Sequence, residues 1–413
     1  MPAQTGGAQG TGELDGDHLP IIPAFALLPL WICAFPTNPA AHPLRRAPMT
    51  RVVRVGHEAD GYAPFDLVPD PARFGLDTTR VATALGDVVV RSSLRRTGTA
   101  ALIMLHGAAG SWTTWTPLLA AAELRGRPLT DMVAIDLPGW GDSPFPESGR
   151  DRGVDAYARA VAEVARVLGY AEWSVVGHSL GGFIALHLAA IEPRATRGVV
   201  LVSATTFSVM RAAAHPVAGV RRMPAFVGLL AVMRAFAPGR GAASAVLRGL
   251  REIGLLRRVM APLFARPSRV PAGVLSALAD EIRPRSFCAA SEEAARYRPE
   301  QHWGRIRCRV TSLRGAHDVF VRPSDDDGLR ALVTHTDLQA LDTAGHFAHI
   351  EVPDAVLDAV EDVARPASKR RAGAEAGAEA GAGAGAGAEA GAEAEALPQG
   401  DRPHSGAPRD PAG

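Results

Sequence analysis

Between Arg80 and Arg365 short apolar runs alternate with segments of helical periodicity, and this alternation leaves few architectures open. The runs are "ALIMLHG", "MVAIDLPG", "WSVVGHS", "GVVLVSA", "CRVTSLRG" and "LQALDTAGH". Between two of them, "DAYARAVAEVARVLG" sets Tyr157, Val161, Val164 and Leu168 on one stripe and closes on a glycine, as a helix packed on a sheet should. Ahead of them, "VATALGDVVVRSSLR" reads as a hairpin with Gly86-Asp87 at its turn. The pattern predicts an α/β fold, a mostly parallel, doubly wound sheet covered by helices on both faces. In such sheets ligands lie beyond the carboxyl ends of the strands, so functional residues should follow the apolar runs.

They do. "HGAAGSW" (His106–Trp112) follows the first run, "DLPGWGDS" (Asp136–Ser143) the second, "GAHD" (Gly315–Asp318) the fifth and "GHFAHIEVP" (Gly345–Pro353) the sixth. After the third comes "WSVVGHSLGGFIAL" (Trp173–Leu186), which crowds Gly177, Ser179 and Gly181 into one sharp turn. A serine forced onto a strained strand-to-helix turn is held exposed, and its neighbours must lack side chains for the turn to close. The plainer reading of that stretch is a glycine-rich helix cap.

Taken jointly and in this order (HG-x-x-G, then G-H-S-x-G-G, an acid after a late strand, and G-H-F with E-x-P behind it), the motifs resemble the α/β-hydrolase superfamily from roughly Arg80 to Arg365. The resemblance implies that Ser179 is the nucleophile, His346 the general base and then acid, and Asp318 the group that orients His346 and stabilises its cation. It also implies an oxyanion hole made of the backbone N–H groups of Leu180 and Ala108. The chemical need is general: a serine hydroxyl is a weak nucleophile at neutral pH, and an imidazole serves it as base only in a fixed tautomer.

Each assignment has a rival in the sequence. His349 lies three residues after His346 and is a second candidate base. Asp325, Asp326 and Asp327 read as a solvated helix start, and Asp342 stands on the strand before the histidine. A carboxylate after the strand that follows the nucleophile helix is missing, since that place reads "VSATTF". His106 and His178 are expected to make structural hydrogen bonds, Asp136 and Asp142 to shape a turn, and Trp115 to pack. Trp112, Phe226 and Met233 are the candidate substrate contacts.

A serine at the nucleophile position sets the chain apart from dehalogenases and epoxide hydrolases of this fold, which resemble one another in using a carboxylate there. What remains is hydrolysis of an ester-like bond (carboxylester, thioester or lactone) of a small apolar substrate through an acyl-enzyme. Amide hydrolysis, carbon–carbon bond hydrolysis and cofactor-free perhydrolysis are alternatives, and a non-catalytic ligand-binding member is the rival from outside catalysis. No Cys/His cluster has metal-ligand spacing and no cofactor is expected.

The domain reading divides the chain into five parts. Residues 1–48 are a low-complexity, partly apolar extension; 49–205 and 301–365 are the two parts of the hydrolase core; 206–300 are a helical cap; 366–413 are an Ala/Gly/Glu-rich tail with little to bury. The apolar run Leu19–Phe35 is broken by three prolines and preceded by Glu13, Asp15 and Asp17 without Lys or Arg, unlike a secretory leader. Met49 is a second plausible start. Three cysteines in 413 residues fit a reducing compartment, and a cytoplasmic location is expected, with membrane association or export the alternative if the apolar run functions.

A net charge of +1 gives no reason to expect nucleic acid. Its distribution is uneven, however: residues 207–300 hold 15 Arg against 6 Asp and Glu. Phe226, Leu229, Leu230, Met233 and Phe236 recur there at helical spacing, as do Val274, Leu275 and Leu278. The cap is therefore expected to roof a lipophilic pocket and to present a basic rim to anionic amphiphiles or to a membrane surface.

Overall fold

Among the described residues the alternation becomes a nine-stranded sheet with the strand order β1-β9-β8-β7-β6-β4-β5-β3-β2. The computed structural model describes residues 50–54, 61–146, 152–239 and 241–364. The expectations for residues 1–48, for Met49 and for the tail 366–413 lie outside the described residues. The strands are β1 (Arg51–Val53), β2 (Leu76–Thr83), β3 (Gly86–Ser93), β4 (Ala100–Leu105), β5 (Met132–Ile135), β6 (Glu172–His178), β7 (Thr196–Val202), β8 (Arg309–Gly315) and β9 (Thr336–Leu341). From β1 to β5 the pairings are parallel; β3 and β2 continue one edge antiparallel.

Two details differ from the sequence reading. The β2–β3 hairpin turns at Ala84-Leu85, because Thr83 pairs with Gly86, so Gly86 and Asp87 already belong to the second strand. Thr83 secures that turn by donating its hydroxyl to the Gly86 carbonyl and accepting from the Leu85 N–H. The sheet also gains β1, whose three residues are too few to show a period but pair in parallel with Gln339–Leu341.

Strand β4 shows why the central runs are apolar at every position. Ile103 and Leu105 enter one core with Val133, Phe183 and Ile184, while Leu102 and Met104 enter the other with Leu118 and Val356. Both sheet faces are covered, so alternation distributes apolar side chains between two cores instead of between core and water. The covering helices are α1 (Thr116–Leu124), α2 (Val154–Val167) and α3 (Leu180–Ile191), with α13 (Pro353–Ala364) at the end of the chain. In α2 the stripe Tyr157, Val161 and Val164 is buried, as its spacing predicts.

Among the described residues between β7 and β8 are seven α-helices: α4 (Phe207–Ala214), α5 (Pro216–Arg222), α6 (Pro224–Phe236), α7 (Ala242–Glu252), α8 (Leu256–Met260), α9 (Ala272–Asp280) and α10 (Pro284–Arg296). Helices α11 (Pro323–Leu332) and α12 (Ala348–Glu351) follow β8 and β9. A separate apolar cluster joins Val209, Ala212, Phe226 and Leu230 of this insertion to Phe320, in the loop after β8. Core and insertion lie within one compact unit. No helix among the described residues is long and apolar enough to cross a membrane.

Candidate active site

Ser179 sits between β6 and α3 with φ +50° and ψ −115°, a conformation that costs a non-glycine residue about 1–3 kcal/mol. The glycines around it are explained by close approach. A Cβ on Gly177 would lie 2.5 Å from the Gly181 carbonyl oxygen, and one on Gly181 would lie 2.1 Å from that of Leu105. Any side chain at either place would push the turn off the sheet. Ser179 does stand at the N-cap position of α3, but its side chain makes no capping hydrogen bond there.

The loops after β8 and β9 bring two partners to this serine. His346 Nε2 lies 3.1 Å from Ser179 Oγ, and His346 Nδ1 lies 3.0 Å from Asp318 Oδ2. With the carboxylate accepting from Nδ1–H, Nε2 carries the lone pair and accepts from the serine hydroxyl. Asp318 is itself fixed, because its Oδ1 accepts from the N–H groups of Phe320 (2.7 Å) and Val321 (3.1 Å). The Asp318 side chain is fully shielded from solvent and that of His346 nearly so. The Phe320 ring meets the imidazole edge-on at 4.8 Å. Ala108 and Leu180 line the same cavity as Ser179. The Leu180 N–H opens α3, where no carbonyl one turn earlier can accept it.

The competing residues are placed elsewhere. The His349 ring packs 4.6 Å from Trp115 and 4.4 Å from His178, away from the serine, and burial followed by the charge of His346 lowers its pKa to about 3. His178 Nε2 donates to the His346 carbonyl at 2.9 Å, and burial holds its pKa well below the ordinary value. His106 accepts the Leu137 N–H at 3.0 Å and is likewise kept neutral by burial. Asp136 ties the loop that carries Ala108 to the next one: it accepts from the Trp112 N–H (2.8 Å), the Asp142 N–H (3.0 Å) and Arg91 (2.6 Å).

Asp325 and Asp326 correct the expectation of a solvated helix start. Both are 1% exposed. Asp325 accepts from the Ser208 and Arg322 N–H groups and Asp326 pairs with Arg314, so they lock α11 to the insertion and to β8; of the three, Asp327 is the exposed one. Asp342 follows the end of β9, where its N–H donates to Val53.

Above the serine a cavity of about 180 Å³ opens, with Ser179 and His346 on its floor and Phe226, Met233, Leu250 and Phe287 among its walls. The expected apolar stripes divide between two tasks. Phe226, Leu229, Met233, Phe236 and Leu278 line the cavity; Leu230 packs within the insertion, and Val274 and Leu275 join the core. Trp112 is corrected: it is buried beside Arg91 and outside the cavity walls. Arg283 brings a cation to the wall, but Glu281 pairs with it at 3.1 Å and the Asp280 carbonyl accepts from it at 2.6 Å. Among the described residues no three His, Cys, Asp or Glu side chains are grouped to hold a metal ion.

Sequence reasoning missed Glu351. This carboxylate is fully buried beneath the histidine loop. Oε1 accepts from Gly345 N–H (3.0 Å) and Phe347 N–H (3.1 Å); Oε2 accepts from Tyr62 Oη (2.6 Å), Ala265 N–H (2.8 Å) and Gly345 N–H (2.9 Å). The His346 N–H meanwhile donates to the Leu263 carbonyl at 2.9 Å. One buried group thus joins the loop that carries the histidine to the insertion segment Leu263–Arg266. The signal was the E-x-P behind G-H-F, which marked a motif without a role.

A family model for the alpha/beta hydrolase fold matches residues 100–353. An esterase of Mycobacterium tuberculosis, Rv0045c, is 28% identical over 277 residues, which are 64% of this chain and 83% of that protein. A soluble epoxide hydrolase of a Corynebacterium species is 35% identical over 88 residues, 21% of this chain and 29% of its own length. Among solved structures, Cfl2 of Burkholderia cenocepacia superposes with a TM-score of 0.54 at 17% identity, covering 73% of this chain and 99% of that one. ALR0039 of Nostoc, a putative alpha/beta hydrolase, gives 0.52 at 21% identity, covering 70% and 97%.

Proposed function

We propose that this chain, which belongs to the α/β-hydrolase family, is a serine hydrolase that cleaves a carboxylester, thioester or lactone bond of a small apolar substrate. The observation that carries this reading is the continuous hydrogen-bonded line from Asp318 through His346 to Ser179, ending at the floor of an apolar cavity. In the proposed reaction His346 takes the hydroxyl proton as Ser179 Oγ attacks the carbonyl carbon. The N–H groups of Ala108 and Leu180 receive the oxyanion. His346 then protonates the leaving oxygen or sulfur, which departs and leaves an acyl-serine. A water molecule, deprotonated by the same imidazole, releases the acid and restores Ser179.

A serine where an epoxide hydrolase is expected to carry a carboxylate favours acyl transfer over epoxide opening. The relative named as an esterase supports the same choice. The apolar walls favour an uncharged acyl group, since the Arg283 cation is engaged by Glu281. The test is covalent labelling with a fluorophosphonate, followed by hydrolysis of p-nitrophenyl esters of increasing chain length. Labelling of Ser179, lost in Ser179→Ala, and kcat/KM rising with chain length are expected. An unlabelled, folded protein would move the chain to the class of ligand-binding members of the fold.

A further inference from the structure

Helix α5 turns its apolar and basic side chains outward. It packs through Gly219, where a Cβ would meet Val227 Cγ2 at 3.1 Å and Ala212 Cα at 3.2 Å. Gly219 is the buried residue of this helix, Pro216 is half-buried and the Arg222 carbonyl accepts from Arg322, while the side chains of Val217, Ala218, Val220, Arg221 and Arg222 face solvent. Val217, Val220 and Arg221 follow at i, i+3 and i+4, so they share one face. Val217 is 90% exposed, the highest value for a large apolar side chain among the described residues, and Val220 is 53% exposed. Arg221 and Arg222 are exposed beside them.

Along the chain on either side of this helix the charge has one sign. From Phe207 to Arg251 the sequence holds seven arginines and no Asp or Glu. Among the described residues, Arg221, Arg222, Arg234 and Arg248 stand in no ion pair, whereas Arg91, Arg125, Arg197, Arg309 and Arg314 of the core each hold a carboxylate. Helix α6 follows directly and lines the cavity with Phe226, Met233 and Phe236.

We propose that the α5 face, Val217, Val220, Arg221 and Arg222, docks the cap onto an anionic lipid surface. Cations beside exposed aliphatic tips match a layer that offers negative headgroups above apolar chains. A nucleic acid would match the arginines and leave both valines against a polar backbone. Seven residues are too few to anchor the protein firmly, so the docking is reversible and carried mainly by charge. It places the cavity helix next to a phase in which apolar esters concentrate.

Binding can be read without turnover, so this inference does not depend on the esterase reading. The full-length protein is sedimented with vesicles of phosphatidylcholine alone or mixed with phosphatidylglycerol, across a salt series. Binding to the mixed vesicles alone, weakening with salt, is expected. Replacing Arg221 and Arg222 by Gln should lower the partition coefficient about fivefold for each arginine removed. Replacing Val217 and Val220 by Asp should abolish binding. Both variants should hydrolyse a short water-soluble ester as the parent does, which verifies their fold. Equal partition onto both vesicle types, or onto neither, overturns the proposal. Variants that bind as the parent does also overturn it, by assigning the lipid contact to another segment. Tighter binding to polyglutamate than to vesicles would assign the face to an acidic protein partner instead.

Discussion

In the sheet, Arg91 is buried between Asp136 and Asp142, and Arg314 is buried against Asp326; in the cap, Arg221, Arg222 and Arg248 face solvent with no carboxylate paired to them among the described residues. The same residue type therefore performs two tasks. A buried pair fixes geometry: Asp136, held by Arg91, accepts the Trp112 N–H and so sets the loop that carries Ala108. Removing one partner of such a pair costs about 3–5 kcal/mol, whereas replacing an exposed arginine usually changes stability by less than about 0.5 kcal/mol. The core holds Asp318, His346 and Ser179 in one hydrogen-bonded line. The cap is built to present a wall and a surface.

This contrast is broken or sharpened by substitution on each side. Ser179→Ala should reduce kcat by about 10⁶ and Asp318→Asn by about 10⁴, the latter because asparagine favours the wrong imidazole tautomer. Ester assays on folded variants check both; a fully active Asp318→Asn would mean that this carboxylate does not set the imidazole tautomer. On the cap side, Met233→Lys places a charge in an apolar wall. It should lower kcat/KM for an octanoate ester about a hundredfold while an acetate ester is hardly affected. Equal losses on both esters would mean that α6 supports the core rather than the acyl group.

A third substitution tests the floor of the core. Neither ring nitrogen of His349 has a partner among the described residues, and burial followed by the charge of His346 lowers its pKa from 6.5 to about 3. Below pH 6.5 the unfolded chain therefore binds a proton that the folded chain refuses, and stability falls with pH until about pH 3. Between pH 6.5 and 5 this group alone removes about 2 kcal/mol. His349→Leu should be neutral or stabilising at pH 7 and should lose that part of the slope, as urea midpoints at pH 7 and 5 would show. An unchanged slope would assign the acid sensitivity to His178 and His106, whose pKa values burial also lowers.

Most of the core was legible because its signals are local. A run such as "LIMLHG" records a strand, its burial on both faces and the loop beyond its end, all within a few residues, and the order of the loops pointed to Ser179, Asp318 and His346, which the fold brings within hydrogen-bond distance. The sequence did not reveal which apolar stripe of the cap faces the cavity, because Leu230 and Met233 lie on one helix and differ only in what is packed against them. Nor did it reveal that Asp325 and Asp326 are buried. Three successive aspartates resemble a solvated helix start, and the partners that make their burial affordable, Ser208 and Arg314, come from other elements. Trp112 was misplaced for the same reason: its neighbour Arg91 belongs to a strand 21 residues earlier.

The smallest expected effect lies where core and cap meet. Glutamine at position 351 keeps one acceptor oxygen and turns an NH₂ group toward N–H and O–H donors. If its oxygen takes the place of Oε1, the histidine loop remains held by Gly345 and Phe347, while Ala265 and Tyr62 lose their acceptor. If it takes the place of Oε2, the cap segment and Gly345 remain held, and only the Phe347 N–H of the histidine loop loses its acceptor. One unsatisfied buried donor costs about 1–3 kcal/mol, so a change of about tenfold is expected in either case. The two cases separate in kinetics. A loosened histidine loop should lower kcat for every ester, because His346 serves each step of the proposed reaction; a freed cap segment should raise KM for long acyl esters and spare short ones. Tyr62→Phe provides the control, since it removes a donor from Oε2 alone and should reproduce the cap effect without the loop effect. If Glu351→Gln leaves kcat and KM unchanged for both ester classes, the carboxylate does not position His346, and core and cap are coupled only through Phe320 and its apolar neighbours.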